Sequence, residues 1–157
     1  HLEDDARRGE LRLLFQPKFP SYYARGRSDR YSLSKERYPD LVITWTPAVA
    51  MPGAPAWICL DAKYRVKREH LADAFESLHI YRDSLRYESF GGRCRAGWLL
   101  VPAEAMGSEH WFSPEFFEKY ALAAVRLRPG EPPPEDFARR VLQTLGVPLH
   151  ERPIGAA

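Results

Sequence analysis

Apolar residues along the chain recur with two spacings. Glu10-Leu11-Arg12-Leu13-Leu14-Phe15-Gln16 alternates in part and is closed by Pro17 and Pro20, which predicts a strand. Asp40-Leu41-Val42-Ile43-Thr44-Trp45-Thr46 is β-branched and aromatic between two prolines and predicts a second. Ala56 to Lys63 predicts a third, apolar with a charged end, joined to the second as a hairpin through the Pro- and Gly-rich stretch 47–56. Residues 70–87 switch to helical spacing, with Leu71, Phe75, Leu78 and Leu85 on one stripe. Gly91-Gly92 ends that unit, and Ala96 to Val101 predicts a buried strand stopped by Pro102.

Ser113-Pro114-Glu115 is a helix start, with a capping hydroxyl and proline in the first turn. Between Phe116 and Leu127 the pattern admits a helical turn followed by a strand, or a longer helix. Residues 129–134 form a linker, and Glu135 to Leu145 a closing amphipathic helix ended by Gly146. The polar segment 21–37 is expected to be a long loop. The order of elements predicts an α/β domain with a mixed sheet.

Length and composition narrow this little further. At 157 residues, 45% hydrophobic and 28% charged, the chain is sized for one globular domain over 1–157. It opens without Met, which predicts a piece of a larger protein. No apolar run reaches the ~20 residues of a membrane span and no signal peptide is visible, so a cytoplasmic protein with no membrane partner is expected. Cys59 and Cys94 form no CxxC pair; one disulfide between them is open, but Cys59 lies in the apolar run Trp57 to Leu60, where a free buried thiol is expected. A net charge of +2 does not by itself point to nucleic acid.

No phosphate-cradling glycine loop, HExxH or GxSxG occurs, and the five histidines show no metal-ligand spacing. One constellation remains. Asp40 opens the second strand, and Asp61-Ala62-Lys63 closes the third. Paired as a hairpin, the start of one strand meets the end of the other, which places Asp40 and Asp61 side by side. Asp61 and Lys63 are two apart and share a face. Two carboxylates and the Ala62 carbonyl supply oxygens suited to Mg²⁺ or Mn²⁺, with Lys63 orienting a water or offsetting negative charge. Read singly, Asp-x-Lys is often a solvated strand end with a weak ion pair, and Pro-Asp a turn.

The pattern Pro39-Asp40, then Asp61-Ala62-Lys63, then an amphipathic helix, resembles the PD-(D/E)xK nuclease superfamily. Arg37-Tyr38-Pro39-Asp40, Asp61-Ala62-Lys63-Tyr64-Arg65, His79-Ile80-Tyr81-Arg82-Asp83 and Val125 to Gly130 resemble the nuclease module attached to domains of unknown function 2357. That group is similar to the nuclease subunit of modification-dependent restriction systems. The resemblance spans roughly residues 10–145. It implies a restriction-endonuclease-like mixed central sheet flanked by helices, and a Mg²⁺- or Mn²⁺-dependent endonuclease cutting DNA in restriction or antiviral defence. Asp40 and Asp61 would be metal ligands and Lys63 the catalytic lysine. A nucleotide-driven partner subunit or domain, and a homodimer, are implied by analogy. Two differences from the family stand out. Many members carry an acidic residue on a helix before the first strand, where this chain has only Glu3 and Glu10. Some carry Gln four residues before the helix tyrosine, where this chain has Ser77.

Around this core lie secondary candidates. His79, Tyr81, Arg82 and Arg65 are placed to reach phosphates, against the alternatives of a structural histidine and a snorkelling arginine. Arg25, Arg27, Arg30 and Arg37, interleaved with tyrosines, and Lys67 and Arg68 form basic clusters suited to nucleic acid, or else an ordinary solvated loop. The competing readings are a catalytically silent module of the same fold that binds DNA or docks a protein, and an unrelated α/β domain with both aspartates on its surface.

Overall fold

The computed structural model describes residues 9–64 and 67–149. Eight strands, β1 to β8, and three helices, α1 to α3, alternate along it. The strands that set the architecture are β1 (Gly9–Phe15), β3 (Leu41–Pro47), β4 (Ala56–Ala62), β7 (Gly97–Val101) and β8 (Leu122–Arg126). They form one sheet in the order β1-β3-β4-β7-β8, antiparallel at β1/β3 and β3/β4, parallel at β4/β7 and β7/β8. The expected α/β class, mixed sheet and 40–62 hairpin are therefore present.

Alternation along β4 sends its side chains to two cores. Trp57 and Cys59 pack beneath α1 (Arg68–Ser84), while Ala56, Ile58 and Leu60 face α3 (Phe137–Leu145). All five are buried, as a strand covered on both faces requires. Helix α1 lies tight against β7. A Cβ on Gly97 would come 2.7 Å from Leu78 Cγ and 2.9 Å from Leu122 Cδ2, so only glycine lets the helix approach this closely. The ambiguous stretch resolves as α2 (Pro114–Tyr120) followed by β8. Ser113 Oγ accepts the Phe116 N–H at 3.2 Å, the expected cap. Gly146, at φ 78°, closes α3 with the paired Gly146→Gln143 and Val147→Leu142 backbone bonds of a Schellman turn.

Two expectations are corrected. The helix over 70–87 ends at Ser84. Leu85–Tyr87 is extended strand β5, paired with β2 (Arg30–Ser32) and with β6 (Gly92–Arg93) in a second, three-stranded sheet. Leu85 keeps its place in the core although it leaves the helix, so the apolar stripe continues where the helical backbone does not. Segment 21–37 is not simply a loop. It holds a 3₁₀ turn at Tyr22–Ala24 and strand β2. Upstream of it, Phe19 is fully buried, stacked on Trp57 at 5.7 Å between ring centroids.

Both cysteines are free and buried, which bears out the free buried thiol expected at Cys59. Among the described residues, no helix is long and apolar enough to cross a membrane.

Candidate active site

The β3/β4 ladder pairs Leu41 with Leu60. Continued by one residue, it sets Asp40 opposite Asp61 at the sheet edge where β4, β7 and β8 end. Asp40 Oδ2 accepts the Ala62 N–H at 2.8 Å, which anchors the first carboxylate to the strand carrying the second. By alternation Asp40, Asp61 and Lys63 share the face covered by α1.

The two carboxylates differ in setting. The Asp61 side chain is only 2% exposed, whereas Lys63 is 40% exposed. Lys63 Nζ lies 2.6 Å from Asp61 Oδ2, yet the contact is not aligned as a hydrogen bond, leaving that buried oxygen with acceptor capacity to spare. Burial pushes the Asp61 pKa up. The Lys63 ammonium opposes the shift, and the neighbouring Asp40 carboxylate adds to it. A second positive charge there would relieve both burial and like-charge repulsion. An all-oxygen set of Asp40, Asp61 and the Ala62 carbonyl fits a hard divalent cation that retains several waters. Among the described residues no cluster of three or more His, Cys, Asp or Glu side chains forms, so protein carboxylates would fill only part of its shell.

Tyr81, half-buried on α1, belongs to this neighbourhood. Burial raises its hydroxyl pKa, the charges of Asp61 and Asp40 raise it further, and Arg37 pulls it back. Arg37, whose backbone bridges to Phe19, has a buried Nε with no hydrogen-bond partner. It is half-buried and close enough to Tyr81 for its charge to act on that hydroxyl.

Other candidates lie elsewhere. Arg82 donates through Nε to Asp83 at 2.8 Å and through Nη1 to the Tyr120 carbonyl, just before β8 begins. That is the opposite end of the parallel strands from Asp61, so the arginine ties α1 to the approach to β8. His79 is exposed and its charge is felt by Asp83. Arg25 stacks on Tyr22 and Tyr31, at 4.5 and 4.2 Å from the ring centroids, and Arg30 on Tyr87 at 5.5 Å. Tyr87 packs against Trp57, four residues up β4 from Asp61, or roughly 13 Å at strand rise. These two arginines thus lie over tyrosines of the 3₁₀ turn and the small sheet. Arg27 is exposed. Lys67 and Arg68 are exposed at the start of α1, the helix that follows the site. Arg65 and Glu3 lie outside the described residues. Glu10 is an exposed residue of β1 bound to Arg12 at 2.6 Å, and Ser77 Oγ donates to its own helix at the Asp73 carbonyl.

A groove of about 400 Å³ adjoins the site and is absent from the sequence reading. It is lined by Ala62, Lys63 and Tyr64 of β4 and its exit, and by the ends of β7 and β8. Its only sequence signal is that three predicted strands stop at charged or Pro residues, and their adjacency depends on strand order.

A family model described as the PD-(D/E)XK nuclease superfamily matches residues 2–105. No curated protein and no solved structure matches the chain. The match takes in the β3/β4 hairpin with both aspartates, Lys63 and the whole of α1, and it covers more than half of the sequence. The chain belongs to the PD-(D/E)XK nuclease superfamily.

Proposed function

We propose that this domain is a divalent-metal-dependent endonuclease that hydrolyses phosphodiester bonds in DNA. The observation that carries the reading is Asp61. It is a buried carboxylate with an unaligned oxygen, set beside Asp40 and within 2.6 Å of Lys63, at the exposed end of three strands. Asp40, Asp61 and the Ala62 carbonyl would hold Mg²⁺ or Mn²⁺. When bound, the ion would supply charge stabilisation and a more acidic water.

The chain's own residues divide the remaining work. The Ala62 N–H fixes Asp40 in place, so the two carboxylates are held before any substrate arrives. Lys63 is exposed enough to meet a phosphate, and its ammonium lies 2.6 Å from Asp61. Its ammonium offsets charge developing on the phosphate oxygens and positions the attacking water. Tyr81 of α1 lies near enough to both carboxylates to feel their charge, and Arg37 acts oppositely on that hydroxyl, lowering the pKa that the carboxylates raise. The setting in restriction or antiviral defence, with a nucleotide-driven partner or a second copy, rests on the resemblance of the DAKYR and HIYRDSL segments.

A second reading, a binding module without catalysis, is favoured by the two-carboxylate donor set and by Glu10 being engaged with Arg12. One experiment separates them: cleavage of plasmid and single-stranded DNA in Mg²⁺, Mn²⁺ or EDTA, beside Asp61→Ala. Metal-dependent cutting lost in the variant is the expected result. Binding without cutting in any metal would leave the silent module as the function.

A further inference from the structure

Strands β4, β7 and β8 are consecutive and parallel, so their carboxyl ends open on one side. In parallel α/β sheets this is where ligands bind. Here the ends enclose the groove of about 400 Å³, within the roughly 300–1,000 Å³ of small-ligand clefts. Its walls are apolar, from Leu100, Val101, Pro102 and Leu127. Its floor is tied by backbone bonds, Lys63 N–H to Leu100 O at 2.9 Å and Leu127 N–H to Val101 O at 2.8 Å. Tyr64 stands at the rim with 86% of its surface exposed. Two cations line it: Lys63, and Arg128, whose Nε donates to the Pro102 carbonyl at 2.7 Å and whose Nη1 lies 3.4 Å from Glu131.

We propose that this groove receives the base of the nucleotide next to the phosphate at Lys63, with Tyr64 as its stacking partner. The inference rests on the nuclease reading above. Ala62 and Lys63 belong to both the groove and the candidate site, so a strand whose phosphate meets Lys63 carries its next sugar and base to the groove's mouth. The other side is closed by α1 and Tyr81. An apolar slot with an exposed tyrosine and flanking cations matches a flat aromatic base on an anionic backbone. Such a site takes a base out of its stack, so it favours single-stranded or locally opened nucleic acid over continuous duplex.

The test is an abasic scan. A fluorescein-labelled single strand carries one abasic residue at successive positions, and its binding to the chain is followed by anisotropy in Ca²⁺. Tyr64→Ala is compared throughout; the residue is exposed, so the fold is not at stake. One position is expected at which base loss weakens wild-type binding about tenfold and leaves Tyr64→Ala unaffected. Leu127→Trp, which fills the groove, should lose the same position-specific effect. A flat scan, or equal losses in wild type and Tyr64→Ala, overturns the groove assignment, and metal-dependent cutting abolished by Asp61→Ala would leave the nuclease reading standing. Failure of the wild type to bind any strand, together with no cutting in any metal, overturns both.

Discussion

A carboxylate as buried as Asp61 is tolerated only if its charge is balanced, and its two charged neighbours act in opposite directions. Lys63 lowers its pKa, while burial and Asp40 raise it, and the net shift is upward. The folded state therefore holds this proton more tightly than the unfolded chain does. Its stability contribution is fully present below the unfolded pKa and is lost as pH rises through the raised folded value. In EDTA, Asp61→Asn should raise the neutral-pH melting temperature by a few degrees and flatten its fall with pH. A variant that melts at or below wild type with the same slope would show that the burial is harmless. Adding Mn²⁺ should stabilise wild type, by about 2.7 kcal/mol at a hundredfold excess over Kd, and leave Asp61→Asn unmoved. Lys63→Ala should separate binding from chemistry. The Mn²⁺-induced shift persists while the initial cleavage rate drops about 10²–10³-fold, the cost of deleting one preorganised charge-stabilising group. An unchanged rate would remove Lys63 from the chemistry.

Among the secondary structure elements, the site depends on two contacts that no single element supplies. One is the β3/β4 register, which opposes Asp40 and Asp61. The other is α1 on β7, where Leu78 and Leu122 meet over Gly97. Gly97→Ala pushes a methyl group into atoms under 3 Å away and should cost about 1–3 kcal/mol in urea unfolding. The same variant should lose cleavage activity beyond its stability loss, because α1 carries Tyr81 beside the carboxylates. Unaltered stability would mean that the helix rides higher than described. The helix ends behave more locally. Ser113 capping α2 and Gly146 closing α3 are both legible in sequence, because capping chemistry is decided within four residues. The end of α1 is not. Leu85, Arg86 and Tyr87 keep the apolar spacing of a helix but are drawn into β5 by pairing with Ser32, Tyr31 and Arg30, more than fifty residues away.

For the molecule as a whole, segment 17–37 is part of the structure rather than an appendage. Phe19 is fully buried against Trp57 and Tyr87, and the β2-β5-β6 sheet holds the rest in place. Phe19→Ala should therefore cost about 3–5 kcal/mol, the range for an aromatic core truncation, measured by chemical denaturation. A loss under 1 kcal/mol would return the segment to a solvated loop. Within that segment Arg25 and Arg30 stack on tyrosines, while Tyr23 and Arg27 stay exposed.

The β3/β4 hairpin, with Asp40, Asp61 and Lys63 at one edge, was readable from sequence because two-residue alternation and adjacent antiparallel strands involve only near neighbours. So were the buried free thiol of Cys59 and the terminal helix. Placement of Tyr81 near the carboxylates and of Arg37 near Tyr81, removal of Arg82 to the far end of the sheet, and the groove at Tyr64 were not. Each depends on which strands become neighbours and which way a helix crosses them. Those choices are made by the burial of whole faces against one another, and no local window of sequence contains both partners.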